Sequence, residues 1–177
     1  MQSLILGGAR SGKSALAERL AADSGREVIY IATAQAHDEE MHERIGHHRA
    51  SRPAHWRSVE EPLALADALR LHAREDRCLL VDCLTLWLSN LLIDPQPARC
   101  ARERDALLDT LPTLPGELLL VSNEVGLGIV PMGALSRRFV DEAGRLHQSI
   151  ATQCERVLFV SAGLPIALKG ALNGDSP

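Results

Sequence analysis

An apolar run near the start of the chain leads directly into a glycine-rich loop. Residues 3–6 are Ser-Leu-Ile-Leu, and residues 7–14 are Gly-Gly-Ala-Arg-Ser-Gly-Lys-Ser. A glycine, four residues and then Gly-Lys-Ser after a strand form the Walker A pattern, or P-loop. The segment 15–22 that follows is rich in strong helix formers. A chance glycine-rich turn is the alternative, but strand, loop and helix come in the order that a phosphate-binding loop requires.

The residue types of this loop suit phosphate binding. Glycines let the backbone turn tightly, so that consecutive N–H groups point at phosphate oxygens. Lys13 adds a positive charge for the β- and γ-phosphates, and the Ser14 hydroxyl is a ligand for Mg²⁺. The predicted nucleotide-binding residues of the loop are Gly7, Gly8, Ala9, Arg10, Ser11, Gly12, Lys13 and Ser14.

Further along the chain, predicted strands alternate with predicted helices. Besides residues 3–6, the predicted strands are 28–34, 56–59, 77–82, 117–123, 156–161 and 166–169, and the predicted helices are 15–22, 37–52, 62–73, 84–93, 98–111 and 136–153. Most of these strands are apolar throughout, which is typical of parallel strands covered by helices on both faces. The pattern predicts one α/β domain over residues 1–177, a doubly wound, mainly parallel sheet of the RecA-like P-loop NTPase class, with a frayed tail at 170–177.

One of these apolar strands ends on an acid, Asp82. An aspartate that closes an apolar strand is the Walker B element of P-loop proteins, which holds Mg²⁺ directly or through water. Many α/β strands end in Asp, so the pattern is weak alone. In combination with the Walker A loop it predicts a magnesium site formed by Ser14 and Asp82.

One side of the predicted helix 37–52 has an unusual composition. Met41 and Ile45 lie four apart, but the pattern then continues with polar residues instead of leucines. Arg44, His48 and Arg52 recur at four-residue spacing, which collects ionisable groups along one side of a helix. Guanidinium and imidazole groups in such a row indicate an anionic ligand, and the thin apolar stripe predicts that this helix projects from the core.

Composition narrows the class of partner. The net charge of −4 means that the chain has no excess of basic residues, which nucleic-acid-binding proteins usually have. We therefore expect a small-molecule partner rather than nucleic acid. The four cysteines form no CxxC pair, which favours buried, reduced thiols over a zinc site. No apolar run reaches the roughly 18 residues of a membrane span, and no leader pattern is found at the start of the sequence. We therefore expect a cytoplasmic protein without a membrane span.

Five motifs in combination point to one family. They are the loop at 7–14, Tyr-Ile-Ala-Thr-Ala at 30–34, Arg-Ile-Gly-His-His-Arg at 44–49, Arg52-Pro53 with Trp56 and Glu60, and Ser-Asn-Glu-Val-Gly-Leu-Gly-Ile-Val-Pro at 122–131. With them the chain resembles the bifunctional adenosylcobinamide kinase and adenosylcobinamide-phosphate guanylyltransferase family of cobalamin biosynthesis. The resemblance runs from the first strand to about Lys169.

This resemblance implies two reactions. In the first, an NTP phosphorylates the aminopropanol hydroxyl of adenosylcobinamide, and in the second GTP transfers GMP to that phosphate, which gives adenosylcobinamide-GDP and pyrophosphate. The guanylyl group passes through a histidine, which by motif is the one directly before Arg49 and hence His48, with His47 as second choice. A neutral imidazole is a competent nucleophile near pH 7, and Arg49 and Arg52 can neutralise charge on the phosphoryl oxygens. A solvated surface histidine is the alternative for His48.

The resemblance also implies further site residues and an assembly. The nucleotide site then includes Ala32, Thr33, Ala34, Arg49, Ala50, Ser51, Arg52, Glu60 and Asp82. The Glu60 carboxylate can accept hydrogen bonds from N1–H and the 2-amino group of guanine together, although it can equally be an ordinary exposed acid. Asn123 and Glu124 are assigned only to the edge of the site. The family forms homotrimers, and because this chain has few aromatic residues to cover a corrinoid, that substrate's site is expected between subunits.

Two other interpretations stay open from the sequence. The chain could be a plain small-molecule or nucleotide kinase in which His48 has no role. It could also be a regulatory P-loop NTPase that hydrolyses nucleotide to move a partner. A histidine that acquires a guanylyl group would exclude the plain kinase. Turnover of adenosylcobinamide would exclude the regulatory NTPase.

Overall fold

The computed structural model describes residues 1–35 and 53–172. The predicted helix 37–52, with His47, His48 and the segment Arg49 to Arg52, lies outside this part of the chain, as do residues 173–177 of the predicted tail. Residues 170–172 are described and belong to no helix or strand.

Within the described residues, seven strands form one sheet. They are β1 (Gln2–Gly7), β2 (Glu27–Ala32), β3 (Arg57–Glu60), β4 (Arg77–Asp82), β5 (Glu117–Asn123), β6 (Arg156–Ser161) and β7 (Leu164–Lys169). The spatial order is β3-β2-β4-β5-β1-β6-β7. All neighbours pair in parallel except β6 and β7, which are antiparallel. This is the predicted doubly wound, mainly parallel sheet, in which β5 lies between the strand of the P-loop and the strand that ends in Asp82.

Helices cover both faces of the sheet. They are α1 (Lys13–Asp23), α2 (Leu65–His72), α3 (Leu84–Ile93), α4 (Arg99–Thr110) and α5 (Ala134–Gln153), with a 3₁₀ turn at Leu111–Thr113. Buried residues of α1 pack with one set of strand side chains, and buried residues of α2 to α5 pack with the other set. We call these two sides of the sheet the α1 face and the four-helix face. Of the described α-helices, one therefore covers the α1 face and four cover the four-helix face.

The strands are buried on both faces because their side chains alternate between the two cores. In β1, Leu4 and Leu6 belong to the core of the four-helix face and Ile5 to the core of the α1 face. This is why the parallel strands have no polar alternation in the sequence. The predicted bounds of β4, α3, β5 and β6 are those observed. In α2, Leu65 and Leu69 are fully buried, whereas Leu71 is 65% exposed.

The carboxyl ends of the parallel strands meet along one edge of the sheet. Gly7 of β1 is paired with Asn123 of β5, and Asp82 of β4 is paired with Ala32 of β2. Ala32 is paired in turn with Glu60 of β3. Doubly wound sheets bind ligands outside this edge. The predicted site residues that are described therefore come to one place, although they are far apart in sequence.

Candidate functional site

The loop between β1 and α1 has the backbone geometry of a tight phosphate cradle. Arg10 and Gly12 have positive φ angles of 55° and 95°. A Cβ on Gly7 would lie 2.5 Å from the carbonyl oxygen of Val160, so only glycine fits there. The Gly163 N–H, in the β6–β7 turn, donates to the Ser11 carbonyl at 2.8 Å. The loop is thus held from its own strand and from the neighbouring turn.

Gly8 differs from the other two loop glycines. Its φ angle is not positive, and a Cβ there would meet no atom within 4 Å among the described residues. The described residues therefore leave space for a side chain at Gly8. A phosphate group against the backbone is the remaining physical reason for a small residue at this position.

Lys13 and Ser14 open helix α1 beside the loop. Lys13 is only 9% exposed, and its Nζ donates to the Gly8 carbonyl at 3.3 Å. The amine is therefore folded over the mouth of the loop, and its partner among the described residues is a single carbonyl oxygen. Because α1 begins here, its N–H groups and positive dipole end also face the loop. The arrangement can bind the terminal phosphates of a nucleotide.

Asp82 lies on the same side of the sheet as this loop. Leu80 of β4 packs in the core of the α1 face, and Asp82 follows two residues later, so their side chains share that face. The Tyr30 hydroxyl donates to Asp82 Oδ2 at 2.9 Å. Two strand spacings, about 10 Å, separate β1 from β4. An ion with phosphate ligands can bridge that distance.

The donor set at this edge fits magnesium. A serine hydroxyl and a carboxylate are hard oxygen ligands, and Mg²⁺ is usually held by one or two carboxylates together with substrate phosphates. Within residues 1–35 and 53–172, no group of three or more His, Cys, Asp or Glu side chains is placed to hold a metal ion by itself. The described residues therefore suit an ion that arrives with a nucleotide rather than a protein cage.

The segment after β2 stiffens the site instead of offering polar groups to it. Thr33 is fully buried, and its hydroxyl donates to the Cys83 carbonyl at 2.7 Å and accepts from the Cys83 N–H at 3.0 Å. Asn90 of α3 donates to the Thr33 carbonyl at 2.8 Å. The side chain of Thr33 thus joins β2 to β4. Ala32 and Ala34, each partly exposed, are left as the small residues of this segment that a ligand can touch.

Glu60 and Glu61 have different roles, although they are neighbours. Glu61 Oε1 accepts from the N–H groups of Leu63 and Ala64 at 2.9 and 2.7 Å, so it fixes the turn before α2. Glu60 ends β3 and is exposed. Four strand spacings, about 19 Å, separate β1 from β3, which is comparable with the length of an extended nucleoside triphosphate. The predicted guanine contact at Glu60 is therefore sterically compatible with phosphates at the loop.

Alternation along β5 separates its three polar end residues. Val121 packs in the core of the α1 face and Leu120 in the core of the four-helix face. Asn123 therefore lies on the α1 face with Asp82 and Lys13, whereas Ser122 and Glu124 lie on the opposite face. The sequence assigned Asn123 and Glu124 together to the edge of the site, and the structure places them on different sides of the sheet.

A buried histidine on α5 holds the end of β5 from the four-helix face. His147 Nε2 lies 2.7 Å from Ser122 Oγ, and its Nδ1 lies 3.8 Å from Glu124 Oε2. Burial lowers the pKa of His147, against an opposing effect of the Glu124 carboxylate. Glu124 Oε1 also accepts from the Gly126 N–H at 2.6 Å. Sequence reasoning missed His147, but positions 143, 146, 147 and 150 form a helical apolar pattern that includes it.

The thiol next to Asp82 is poorly suited to act as a nucleophile. Cys83 is buried, and burial together with the Asp82 carboxylate raises its pKa. Burial also raises the pKa of Cys78 and Cys154 to about 12. All four cysteines are free and buried, as the sequence predicted. None of the helices in the described part of the chain is long and apolar enough to cross a membrane.

Comparison with known proteins gives a consistent result. The family model "Cobinamide kinase / cobinamide phosphate guanyltransferase" matches residues 3–168. A bifunctional adenosylcobalamin biosynthesis protein, CobP of Pseudomonas aeruginosa PAO1, is 68% identical over 170 residues, which cover 96% of this chain and 98% of that protein. CobU of Escherichia coli K12, with the same description, is 39% identical over 182 residues and covers 96% of this chain and 100% of its own.

A solved structure shares the fold without close sequence similarity. A protein of Pyrococcus horikoshii OT3 aligns with a TM-score of 0.54 and 9% identity, over 98% of this chain and 87% of that one. This likeness concerns the fold alone. The α/β architecture is therefore found beyond the sequence relatives.

Proposed function

The chain belongs to the cobinamide kinase / cobinamide phosphate guanyltransferase family, and on this premise we propose how its residues divide the two reactions. It is a bifunctional enzyme of adenosylcobalamin biosynthesis. Kinase chemistry transfers the terminal phosphoryl group of an NTP to the hydroxyl of adenosylcobinamide. Guanylyl transfer then moves GMP from GTP to that phosphate and releases pyrophosphate.

One observation carries this division. Lys13, the loop 7–14 and Asp82 occupy the same face at the carboxyl edge of the sheet, within about two strand spacings. In our proposal the loop and Lys13 hold the terminal phosphates in both reactions. Ser14 and Asp82 hold Mg²⁺, which when bound neutralises charge on the phosphates. The nucleotide then extends along the edge past Ala32 to Ala34.

His48 is the proposed carrier of GMP. The imidazole attacks the α-phosphorus of GTP, the bond to the bridging oxygen breaks, and pyrophosphate leaves with that electron pair. The phosphate of adenosylcobinamide phosphate then attacks the same phosphorus and releases the histidine. Arg49 and Arg52 are close to His48 in sequence and supply positive charge, and Ala50 and Ser51 complete the proposed nucleotide-binding segment.

The experiment for this division follows the corrinoid products. Purified protein is incubated with adenosylcobinamide, Mg²⁺ and ATP or GTP, and the products are separated by chromatography. We expect a phosphorylated corrinoid from a suitable donor and adenosylcobinamide-GDP only when GTP is present. Nucleotide hydrolysis without any corrinoid product would contradict the proposal and favour a regulatory NTPase.

Glu60 is the proposed reader of guanine. Its carboxylate ends β3 at the same edge, where it can accept from N1–H and the 2-amino group. Glu60→Gln changes one acceptor into a donor, so we expect the preference for GTP over ATP in guanylyl transfer to fall about tenfold or more. Glu61→Gln, which alters the neighbouring carboxylate at the α2 turn, is the matched control. An unchanged preference in Glu60→Gln would refute this role.

We further propose that the enzyme is a cytoplasmic homotrimer with the corrinoid bound near subunit contacts. Among the described residues, neighbouring large apolar side chains are exposed in the loop after β5, where Ile129 is 98% exposed, and along β7, where Leu164 and Ile166 are exposed. Contiguous exposed apolar residues of this kind mark interaction surfaces. Native mass spectrometry of wild type and Ile166→Lys tests the assembly, and a monomeric wild type would refute it.

A further inference from the structure

Two buried polar atoms without hydrogen-bond partners belong to residues beside Gly7. Within residues 1–35 and 53–172, four buried side-chain nitrogen or oxygen atoms have no hydrogen-bond partner, and they belong to Ser11, Arg99, Asn123 and Gln153. Ser11 Oγ would lie 2.5 Å from a Cβ built on Gly7, and Asn123 is the residue paired with Gly7 on β5. A buried polar atom without a partner costs free energy unless a ligand supplies one.

The backbone of Asn123 is fixed by the groups around it. Its N–H donates to Thr85 Oγ1 at 3.1 Å, and Thr85 lies just after the strand that ends in Asp82. The next N–H, that of Glu124, donates to the Gly7 carbonyl at 3.0 Å. Asn123 is thus held between the Walker A strand and the segment that follows the Walker B strand. These bonds fix the direction of its Cα–Cβ bond towards the α1 face.

On this basis we propose that Asn123 is a catalytic residue of the kinase step, whose side-chain amide contacts the transferred phosphoryl group and the attacking substrate hydroxyl. The inference rests on the proposed function, because it assumes that the loop and Lys13 hold the terminal phosphates. An amide carries both a donor for a phosphoryl oxygen and an acceptor for a hydroxyl. It adds no negative charge next to Asp82, unlike a carboxylate.

The position of Asn123 explains why this residue acts in the kinase step and not in guanylyl transfer. In the kinase step the reacting atom is the terminal phosphorus, which the loop holds next to Gly7. In guanylyl transfer the reacting atom is the α-phosphorus, two phosphates further along the nucleotide. A side chain beside Gly7 therefore touches reacting atoms only in the kinase step.

The chemical step balances without a further reagent. The substrate oxygen forms a bond to the γ-phosphorus, and the bond from that phosphorus to the β–γ bridging oxygen breaks. The electron pair of the broken bond leaves with the nucleoside diphosphate. The hydroxyl proton passes to the transferred phosphoryl group and then to solvent, because an amide is too weak a base to keep it. Asn123 orients the hydroxyl and stabilises the equatorial oxygens.

The test compares two variants that each remove a buried amide oxygen. Asn123→Ala is expected to lower the kcat of adenosylcobinamide phosphorylation about 100-fold, the usual effect of losing one such preorganised contact. The KM for nucleotide should change by no more than about threefold, since binding through the loop remains. Formation of the GMP adduct from GTP should fall by less than about fivefold, because the α-phosphorus lies elsewhere.

Gln153→Ala is the matched control. Gln153 also carries a buried amide oxygen without a partner among the described residues, but it ends α5 near Glu155, whose N–H donates to the Gln2 carbonyl at the start of β1. It therefore lies at the opposite edge of the sheet. Both reactions should stay within about twofold of wild type in this variant.

Each outcome decides the question. Kinase kcat within about threefold of wild type, or equal losses in both reactions at an unchanged melting temperature, would overturn the role of Asn123. If Asn123→Ala melts too low to assay, Asn123→Leu keeps the size of the side chain and removes both polar atoms without adding a charge, so the same kinase-specific loss is expected. A wild type that performs neither reaction would instead overturn the proposed function and this inference with it.

Discussion

Beside the carboxyl end of β5, the two faces of the sheet differ in how their buried polar groups are satisfied. On the four-helix face the imidazole of His147 contacts Ser122, and the indole N–H of Trp87 donates to the Leu63 carbonyl at 2.8 Å. On the α1 face, Ser11 Oγ and Asn123 Oδ1 have no partner in the described parts of the chain. The first arrangement is that of a stable core in which these polar groups are satisfied, although Arg99 Nε of α4 and Gln153 Oε1 of α5, on the same face, also lack a partner among the described residues. The second is that of a site that a ligand completes.

This difference separates stability from chemistry within one small fold. Four helices and the larger apolar core stabilise the sheet from one side. The other side carries a single described helix, whose N-terminus opens at the phosphate loop. Substitutions on the four-helix face should therefore change mainly the free energy of unfolding, and substitutions at the carboxyl edge of the α1 face should change mainly turnover. Three predictions test this separation.

Trp87→Ala should give the largest change, because it removes the biggest side chain that is fully buried on the four-helix face. The variant leaves a cavity and strips the Leu63 carbonyl of its partner. We expect a loss of about 3–5 kcal/mol in the free energy of unfolding, measured by urea denaturation. The fraction that remains folded should bind nucleotide with wild-type affinity. A loss below about 1 kcal/mol would contradict the prediction that substitutions on this face change mainly the free energy of unfolding.

Lys13→Ala should show the reverse pattern. Its amine has one hydrogen bond, to the Gly8 carbonyl, so we expect a change of less than about 1 kcal/mol in unfolding free energy. Both the kinase and the guanylyl-transfer rates should fall about 100-fold to 1,000-fold, because a preorganised charge at the phosphates is lost. Lys169→Ala is the control, since that lysine donates to the carbonyls of Ala151 and Thr152 at the end of α5. Comparable activity losses in the two variants would contradict the prediction.

The third and smallest effect concerns pH. Burial lowers the pKa of His147, so the unfolded chain binds more protons than the folded protein below about pH 6.5. The contribution of His147 to stability is therefore complete above that pH and is lost as the pH falls towards its folded pKa. His147→Gln should weaken the decrease in unfolding free energy between pH 7.5 and 5.5. The groups that face the ring are the Ser122 hydroxyl and the Glu124 carboxylate.

His72 needs a separate control in that experiment. Its pKa is also lowered, first by burial and then by the nearby Arg57, Arg77 and Arg74. The contribution of His72 to the stability of the protein is therefore lost over the same pH range. His72→Gln measures its share, and the double variant should combine both effects. If His147→Gln leaves the pH dependence of wild type unaltered, then His147 is not a neutral buried group of the core.

Much of the fold was accessible from the sequence for a physical reason. Parallel strands covered on both faces are uniformly apolar and end at polar residues, which is why Arg77–Asp82 and Glu117–Asn123 were predicted with the observed bounds. The loop at 7–14 was equally clear, because its residue types and spacing have few other uses. Both signals are local in the chain.

What the sequence left undecided depends on long-range pairing. Asn123 and Glu124 are adjacent in sequence, and only the register and the two cores show that they face opposite sides. The different uses of Glu60 and Glu61 likewise depend on where β3 ends. The antiparallel pairing of β7 with β6 was not predicted either. A histidine such as His147 is hard to place because its neutral form belongs in a core and its charged form in solvent.

The most direct test of the whole account is the intact mass of the protein after exposure to GTP and Mg²⁺. We predict that wild type and His47→Ala gain the mass of one guanylyl group by an acid-labile, base-stable bond, and that His48→Ala gains none. An adduct of equal yield in His48→Ala would contradict the account, because the guanylyl group would then have to pass through another residue.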